Sequence, residues 1–337
     1  MPIQRPCLPS LLVGLVFVGC ATQPAPKAPP KVEAAPPVSR VEKMREPLDV
    51  TPLELHFSGL RGATKASEAV AVKNTSNEAV PVSQILVVGE NAATFKIVDV
   101  PPLPVWLPPS SSFSFSVGFE PGPDAEPGVH HARVRIVRSE DDDGPPCDLT
   151  ALVTKGTKPA DEPTLQQILE SLGYDVAVGA NNLMLPTKPG GDEIPATLFQ
   201  RAKTGNVGFY LIARYTKDED TAFGYFTVEA GKPVSKALGS AAKGHHQTLN
   251  PELEGEGQTS FDSGEAEFGL FLKAGKQTFY SVDALNSSSH KTMVKVFPLR
   301  SRGRTPVQDA YVVAFDEDGN HDYQDHVFML WNVKPAQ

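Results

Sequence analysis

From Leu53 onward, apolar and polar residues alternate in short runs: Leu53-Glu54-Leu55-His56-Phe57, Ala69-Val70-Ala71-Val72, Phe113-Ser114-Phe115-Ser116-Val117 and Ala132-Arg133-Val134-Arg135-Ile136-Val137. Successive side chains of a strand point to opposite faces, so each run offers one face to a core and the other to water. Ser83-Gln84-Ile85-Leu86-Val87-Val88 adds another apolar run, and between the runs stand Asn74-Thr75-Ser76-Asn77, Pro101-Pro102 and Pro108-Pro109. Such breakers leave no room for helices. About seven short antiparallel strands over residues 48–157 predict an immunoglobulin-like β-sandwich.

Past residue 160 one helix is expected. Asp161-Glu162-Pro163-Thr164 places acidic residues and a proline at its start, and Leu165, Ile168, Leu169 and Leu172 share one face before Gly173 stops it. Strands then return at Val207–Ala213, Phe223–Val228, Phe268–Leu272, Met293–Phe297, Tyr311–Phe315 and Val327–Trp331. The expectation is a mainly β chain, with a second β-sandwich or jelly-roll-like domain over residues 160–337 that carries one short helix. A chain of 337 residues, 40% hydrophobic and 8% aromatic, has the length and the apolar content for two such cores.

The first residues read as an address. Leu8–Val18 is an apolar run behind Arg5, too short to cross the roughly 30 Å hydrocarbon core of a bilayer as a helix. It ends in Phe17-Val18-Gly19-Cys20, which resembles the lipobox of bacterial lipoproteins. That resemblance implies a signal peptide over residues 1–19, an N-terminal lipid such as palmitate on Cys20, and, because Ala21 follows, an outer-membrane location in the cell envelope. Phe17 stands where leucine is usual, and an ordinary cleaved secretory signal is the other reading. Residues 20–47 are rich in Pro, Ala and Lys and cannot bury a core. Polyproline II at about 3.1 Å per residue makes them a tether of roughly 75 Å.

Charge and cysteine usage narrow the partners. With 31 Lys+Arg against 40 Asp+Glu the chain carries −9, which opposes a nucleic-acid partner. Cys147 has no partner thiol once Cys7 and Cys20 are assigned to the export segment, so it is expected to be a buried apolar side chain. Glu140-Asp141-Asp142-Asp143-Gly144 lies between strands and is expected to be a solvated hairpin tip. His130 and His131 are adjacent on a strand and therefore face opposite ways, which argues against a shared metal.

The sharpest chemical candidate is Asp316-Glu317-Asp318-Gly319-Asn320-His321-Asp322-Tyr323-Gln324-Asp325. Asp316, Asp318, Asn320, Asp322 and Asp325 crowd oxygen ligands into a tight loop. Such a set suits a hard cation such as Ca²⁺, which takes six to eight oxygens at about 2.3–2.6 Å. The spacing is not that of an EF-hand, because Gly319 is out of place and Val327 stands where the bidentate Glu belongs. In the other reading these aspartates cap backbone N–H groups of a solvated turn.

Two further resemblances bear on function. Thr51–Phe57, Val72–Ser76, Phe95-Lys96-Ile97 and Leu107–Ser111 leading into Phe113–Pro121 resemble, in their order, the abnormal-spindle and hydin type of immunoglobulin-like domain. That resemblance implies a structural or protein-binding module without an active site. Phe268–Leu272, Tyr280–Asn286, His290, Ala314–Asp318 and Asp322-Tyr323-Gln324-Asp325 resemble the acidic Asp-Tyr-Asn-Asp signature of an exported bacterial domain of unknown function. Common catalytic signatures such as Gly-x-Ser-x-Gly, the Walker loop and His-Glu-x-x-His are absent from the sequence. The expected function is therefore a non-catalytic envelope protein with a protein or glycan partner, used either for adhesion and binding or as an assembly subunit. A metal-dependent hydrolase built on His245, His246, His290, His321 or His326 is the competing enzyme reading.

Overall fold

The computed structural model describes residues 46–179, 191–255, 257–288 and 291–336. Cys20 and the rest of the export segment and tether up to residue 45 lie outside the described residues, as does His290. The expectation of a β-sandwich chain holds.

The first sandwich is built from β1 Leu48–Thr51, β2 Glu54–Leu60, β3 Ala66–Asn74, β4 Val80–Val82, β5 Gln84–Val88, β6 Phe95–Val98, β7 Val105–Leu107, β8 Ser112–Phe119, β9 Gly128–Ser139, β10 Asp142–Asp143 and β11 Cys147–Thr154. One sheet runs β1-β3-β8-β6; the other runs β10-β9-β11-β2 with β5 also on β9, and β4 and β7 form a separate ribbon. Inward residues follow the alternation: Val70, Val72, Phe115, Val117 and Phe119 face Phe57, Val134, Ile136, Leu149, Ala151 and Val153. Phe57 and Phe119 stack at 5.4 Å between centroids.

The isolated polar features behave as their setting dictates. Cys147 is free and buried. His130 turns inward and bonds to Thr94 Oγ1 at 2.9 Å, whereas His131 is exposed. The acidic run turns the chain from β9 into β10, where Arg135 pairs with Asp143 and Arg138 with Asp142.

Helix α1, Leu165–Ser171, starts at a capping box between Thr164 and Gln167 and gives way at Gly173, whose φ is 79°. Its buried Leu165, Ile168 and Leu169 join Leu152 from the outer face of β11. The same cluster takes in Ile212, Phe297, Val312 and Val327 of the strands that follow, and Tyr323 from the connection between the last two of them. The helix therefore acts as a wedge between the two sandwiches, and residues from Arg45 onward form one compact unit. Polar contacts reinforce the junction: His56 Nδ1 to Ser171 O at 2.7 Å, and Ser58 Oγ accepting from Leu249 N at 3.0 Å.

The second sandwich comprises β12 Phe199–Arg201, β13 Val207–Tyr215, β14 Thr221–Glu229, β15 Lys232–Gly239, β16 Gln247–Leu249, β17 Ser260–Phe261, β18 Gly269–Ala274, β19 Gln277–Tyr280, β20 Val294–Ser301, β21 Thr305–Phe315, β22 His326–Trp331 and β23 Val333–Pro335. One sheet runs β16-β13-β22-β21-β20 with β17 on β13; the facing sheet runs β15-β14-β18-β19. Phe209, Phe223, Phe268, Phe315 and Phe328 fill the space between them.

Leu152 is fully buried in the cluster shared by both sandwiches. Leu152→Ala is expected to cost about 2–5 kcal/mol. Because the cluster spans the junction, calorimetry should show one transition that moves as a whole. Two resolved transitions, with only the first shifted, would contradict a shared core.

Candidate functional site

The acidic segment is the connection between β21 and β22, so its two ends, Asp316 and Asp325, adjoin Phe315 and His326, which pair across neighbouring strands. A ten-residue excursion from the end of a sheet exposes many backbone N–H groups, and each end of this one contributes a carboxylate to collect them. Asp316, fully buried, accepts from Gly319 N at 2.8 Å, Asn320 N at 3.2 Å and His321 N at 2.9 Å. Asp325 accepts from Glu317 N at 2.6 Å and Asp318 N at 3.3 Å. Gly319, His321 and Tyr323 take positive φ and so reverse the chain tightly. Tyr323 anchors the turn from within. Its hydroxyl donates to Thr292 O at 2.7 Å and its ring lies 5.2 Å from Lys295 Nζ, which pairs with Glu193.

This folding brings Asp316, Asp322 and Asp325 together, with one carboxylate oxygen of each within 4.8 Å of the others. Asp322 Oδ2 accepts from Gln324 Nε2 at 2.7 Å, while Oδ1 is buried without a hydrogen-bond partner. Burial raises the pKa of all three, and for Asp325 and Asp322 the neighbouring carboxylates raise it further. Among the described residues this is the only set of three acidic, His or Cys side chains so close together.

Of the five expected ligands, the fold brings Asp316, Asp322 and Asp325 together. Asp318 reaches out to Lys217 Nζ at 2.6 Å, and Asn320 Oδ1 accepts from Asp322 N at 3.0 Å. The alternation Asp316, Asp318, Asn320, Asp322 is not a ladder of ligands, because Asp316 folds the turn about its own carboxylate and sends the intervening side chains elsewhere. Both readings of the loop thus have a share of its geometry: Asp316 and Asp325 cap backbone N–H groups and also turn oxygens toward Asp322.

Behind the trio lies a polar cluster not singled out in the sequence. Glu317, 6% exposed, accepts from the Thr216 hydroxyl and places Oε2 3.4 Å from Nδ1 of the fully buried His326. Burial pushes Glu317 up to about 7 and pushes His326 well below its ordinary value, with the nearby Arg214 guanidinium lowering His326 further. Arg214, also fully buried, donates to Lys217 O at 2.9 Å and Glu219 O at 2.8 Å. Glu162, from the segment before α1, accepts from Gln247 and Gln324 and closes the site on that side. A charged Arg214 inside the otherwise apolar run Val207–Tyr215 was the one sequence signal of this cluster.

Among the described residues no histidine belongs to a set of three metal-ligating side chains within 4.8 Å of one another. His245 accepts from Glu252 N at 3.4 Å and His246 lies 3.7 Å from Asp218, whereas His321 lies beside Asp316 and His326 beside Glu317.

No family model and no curated protein matches the chain. Solved structures that resemble it include the ASH/PapD-like domain of human CEP192, at 11% identity over 38% of this chain and 99% of that one, with a TM-score of 0.24. The periplasmic chaperone SfaE is 8% identical over 69% of this chain and 98% of its own, with a TM-score of 0.25. The E. coli chaperone DraB is 10% identical over 86% and 98%, also with a TM-score of 0.25. These likenesses concern the β-sandwich fold alone.

Proposed function

We propose that this chain is a cell-envelope lipoprotein that presents a non-catalytic binding body on an extended tether, with the Asp316, Asp322 and Asp325 carboxylates taking Ca²⁺ to stiffen one end of it. The observation that carries the reading is the apolar run Leu8–Val18 that stops at Cys20 and passes directly into a Pro/Ala-rich stretch. A lipid on Cys20 would hold the sandwiches to the outer membrane, and the proline-rich chain would set them away from it. Three clustered carboxylates supply charge for a hard cation, and in this reading the ion's role is structural.

The test is metabolic labelling with a palmitate analogue followed by membrane fractionation. Label should enter the wild-type chain, and Cys20→Ser should lose the label and leave the membrane fraction. An unlabelled wild type, or a Cys20→Ser chain that still sediments with lipid, would overturn the proposal.

A further inference from the structure

A pocket of about 540 Å³ lies in the second sandwich, where the β13–β14 connection, the chain leaving β15 and the β18–β19 turn come together. Its lining carries four carboxylates, on Asp218, Glu219, Asp220 and Glu254, against the single ammonium of Lys243. The buried Arg214 stands behind the β13–β14 connection and donates to Lys217 O and Glu219 O; with it counted, carboxylates still outnumber cations four to two. Acidic surface selects nothing by itself, and what marks this pocket is its floor. Thr221 opens β14 on the face that carries Phe223 and Tyr225 into the core, so its side chain stands at the end of the space between the sheets. It is 4% exposed and lines the pocket, and its hydroxyl has no hydrogen-bond partner among the described residues. A buried hydroxyl is seldom left so, and the pocket is where a partner would reach it.

The walls are pinned by their own hydrogen bonds. Asp218 accepts from Gly244 N at 3.1 Å, which holds its carboxyl below the usual carboxylate range. Gly275 N donates to Asp220 O at 3.1 Å, and Glu254 N donates to Ser240 O at 2.9 Å. Gly275, at a φ of 54°, also leaves room for Glu219, since a Cβ there would come within 2.7 Å of its Oε2. The carboxylates nonetheless stay apart: no three of them bring an oxygen each within 4.8 Å of the others. A metal ion gathers its oxygens within about 2.6 Å of one centre. These separate charges instead fit a longer ligand with several separate positive groups, and the volume lies within the range of about 300–1,000 Å³ typical of small-ligand sites. An ammonium group is donor only, so it matches carboxylates and an accepting hydroxyl alike.

We propose that this pocket binds a linear polyamine, its ammonium groups spread over Asp218, Glu219, Asp220 and Glu254 and one of them donating to Thr221. The proposal deepens the binding-body reading above, on which it rests for the presence of a ligand, and needs neither the lipid anchor nor Ca²⁺.

The experiment titrates the full-length chain, in detergent and with chelator present, with spermidine, butylamine and pentalysine, read by calorimetry. Spermidine should bind at one saturable site, more weakly as salt is raised. Butylamine, with a single charge, should bind at least about tenfold more weakly. Glu254→Gln on the exposed rim should weaken spermidine about threefold or more, whereas Asp141→Asn, in the exposed hairpin of the first sandwich, should leave it unchanged. Thr221→Val should weaken it about tenfold while melting no lower than wild type, because a methyl replaces an unpartnered hydroxyl. Should Thr221→Val melt lower, Glu254→Gln against Asp141→Asn decides alone. No saturable binding of spermidine, binding of pentalysine without spermidine, equal losses in Glu254→Gln and Asp141→Asn, or wild-type affinity in a Thr221→Val chain of undiminished melting temperature would overturn the proposal. An unlipidated chain, or one whose melting ignores Ca²⁺, would bind spermidine all the same, so the two proposals fail separately.

Discussion

Glu317→Gln should stabilise the chain at pH 8 by on the order of 3 kcal/mol and leave it unchanged by pH 4, reading each pKa unit as about 1.4 kcal/mol. Glu317 is 6% exposed, and desolvation by burial pushes its carboxyl up to about 7 from an ordinary 4.5. A raised carboxylate means that the folded state binds the proton more tightly than the unfolded one, so between the two values stability falls as pH rises. Above the folded value the whole cost is in place, and below 4.5 both states are protonated and it vanishes. Gln keeps the size and can still accept from Thr216 while never ionising. Its advantage should therefore grow from about pH 4.5 to about pH 7 and level off.

The nearby His326 invites the opposite expectation, an ion pair at 3.4 Å that Gln would break. The directions of the two shifts argue against it: the acid moves up and the base moves down, toward a pair that is neutral on both sides. His326 opposes any acid stabilisation of the whole chain, since a histidine kept neutral when folded costs stability as pH falls through its ordinary 6.5. That contribution is common to wild type and variant, so the difference between them isolates Glu317. Denaturant titrations at several pH values provide the measurement, and a variant less stable than wild type at pH 8 would mean that the charged pair is real.

How much of this was legible in the sequence depends on whether a residue's neighbours lie along the chain or across it. Strands with one buried face were legible: the alternation in Phe113–Val117 lies within β8, and the apolar run Val207–Ala213 lies within β13. The helix was readable from the spacing of Leu165, Ile168, Leu169 and Leu172, although Asp161, Glu162 and Pro163 lie before its first turn and not within it. Strand β15 was not, because it lies at a sheet edge with nearly every side chain in water, and Lys232-Pro233-Val234-Ser235-Lys236 has no apolar face to betray it. In the acidic loop, composition marked the place but not the membership. Asp318 and Asp322 look equivalent in sequence, and only the fold decides that Lys217, from the β13–β14 connection, draws one of them away.

Calcium should raise the melting temperature at pH 8, and by less at pH 5, with Asp322 as the residue on which the response depends. Saturation at a hundred times Kd corresponds to about 2.7 kcal/mol of added stability. The pH dependence has a definite sign. Burial raises the affinity of Asp316, Asp322 and Asp325 for protons, and facing carboxylates raise it further for Asp322 and Asp325, so protons compete with the ion for the same oxygens as the medium becomes acidic. Asp322→Asn separates this from a capping role, because the amide oxygen can still accept from Gln324. With the ion chelated, removing one of three facing carboxylates relieves repulsion, and the variant should melt above wild type at pH 8. With Ca²⁺ added, it should gain little while wild type rises past its own chelated value. Asp318→Asn, which touches only the pair with Lys217, should respond to Ca²⁺ as wild type does. Identical melting of wild type with chelator and with millimolar Ca²⁺ would show that the trio holds its charge by sharing protons and takes no ion.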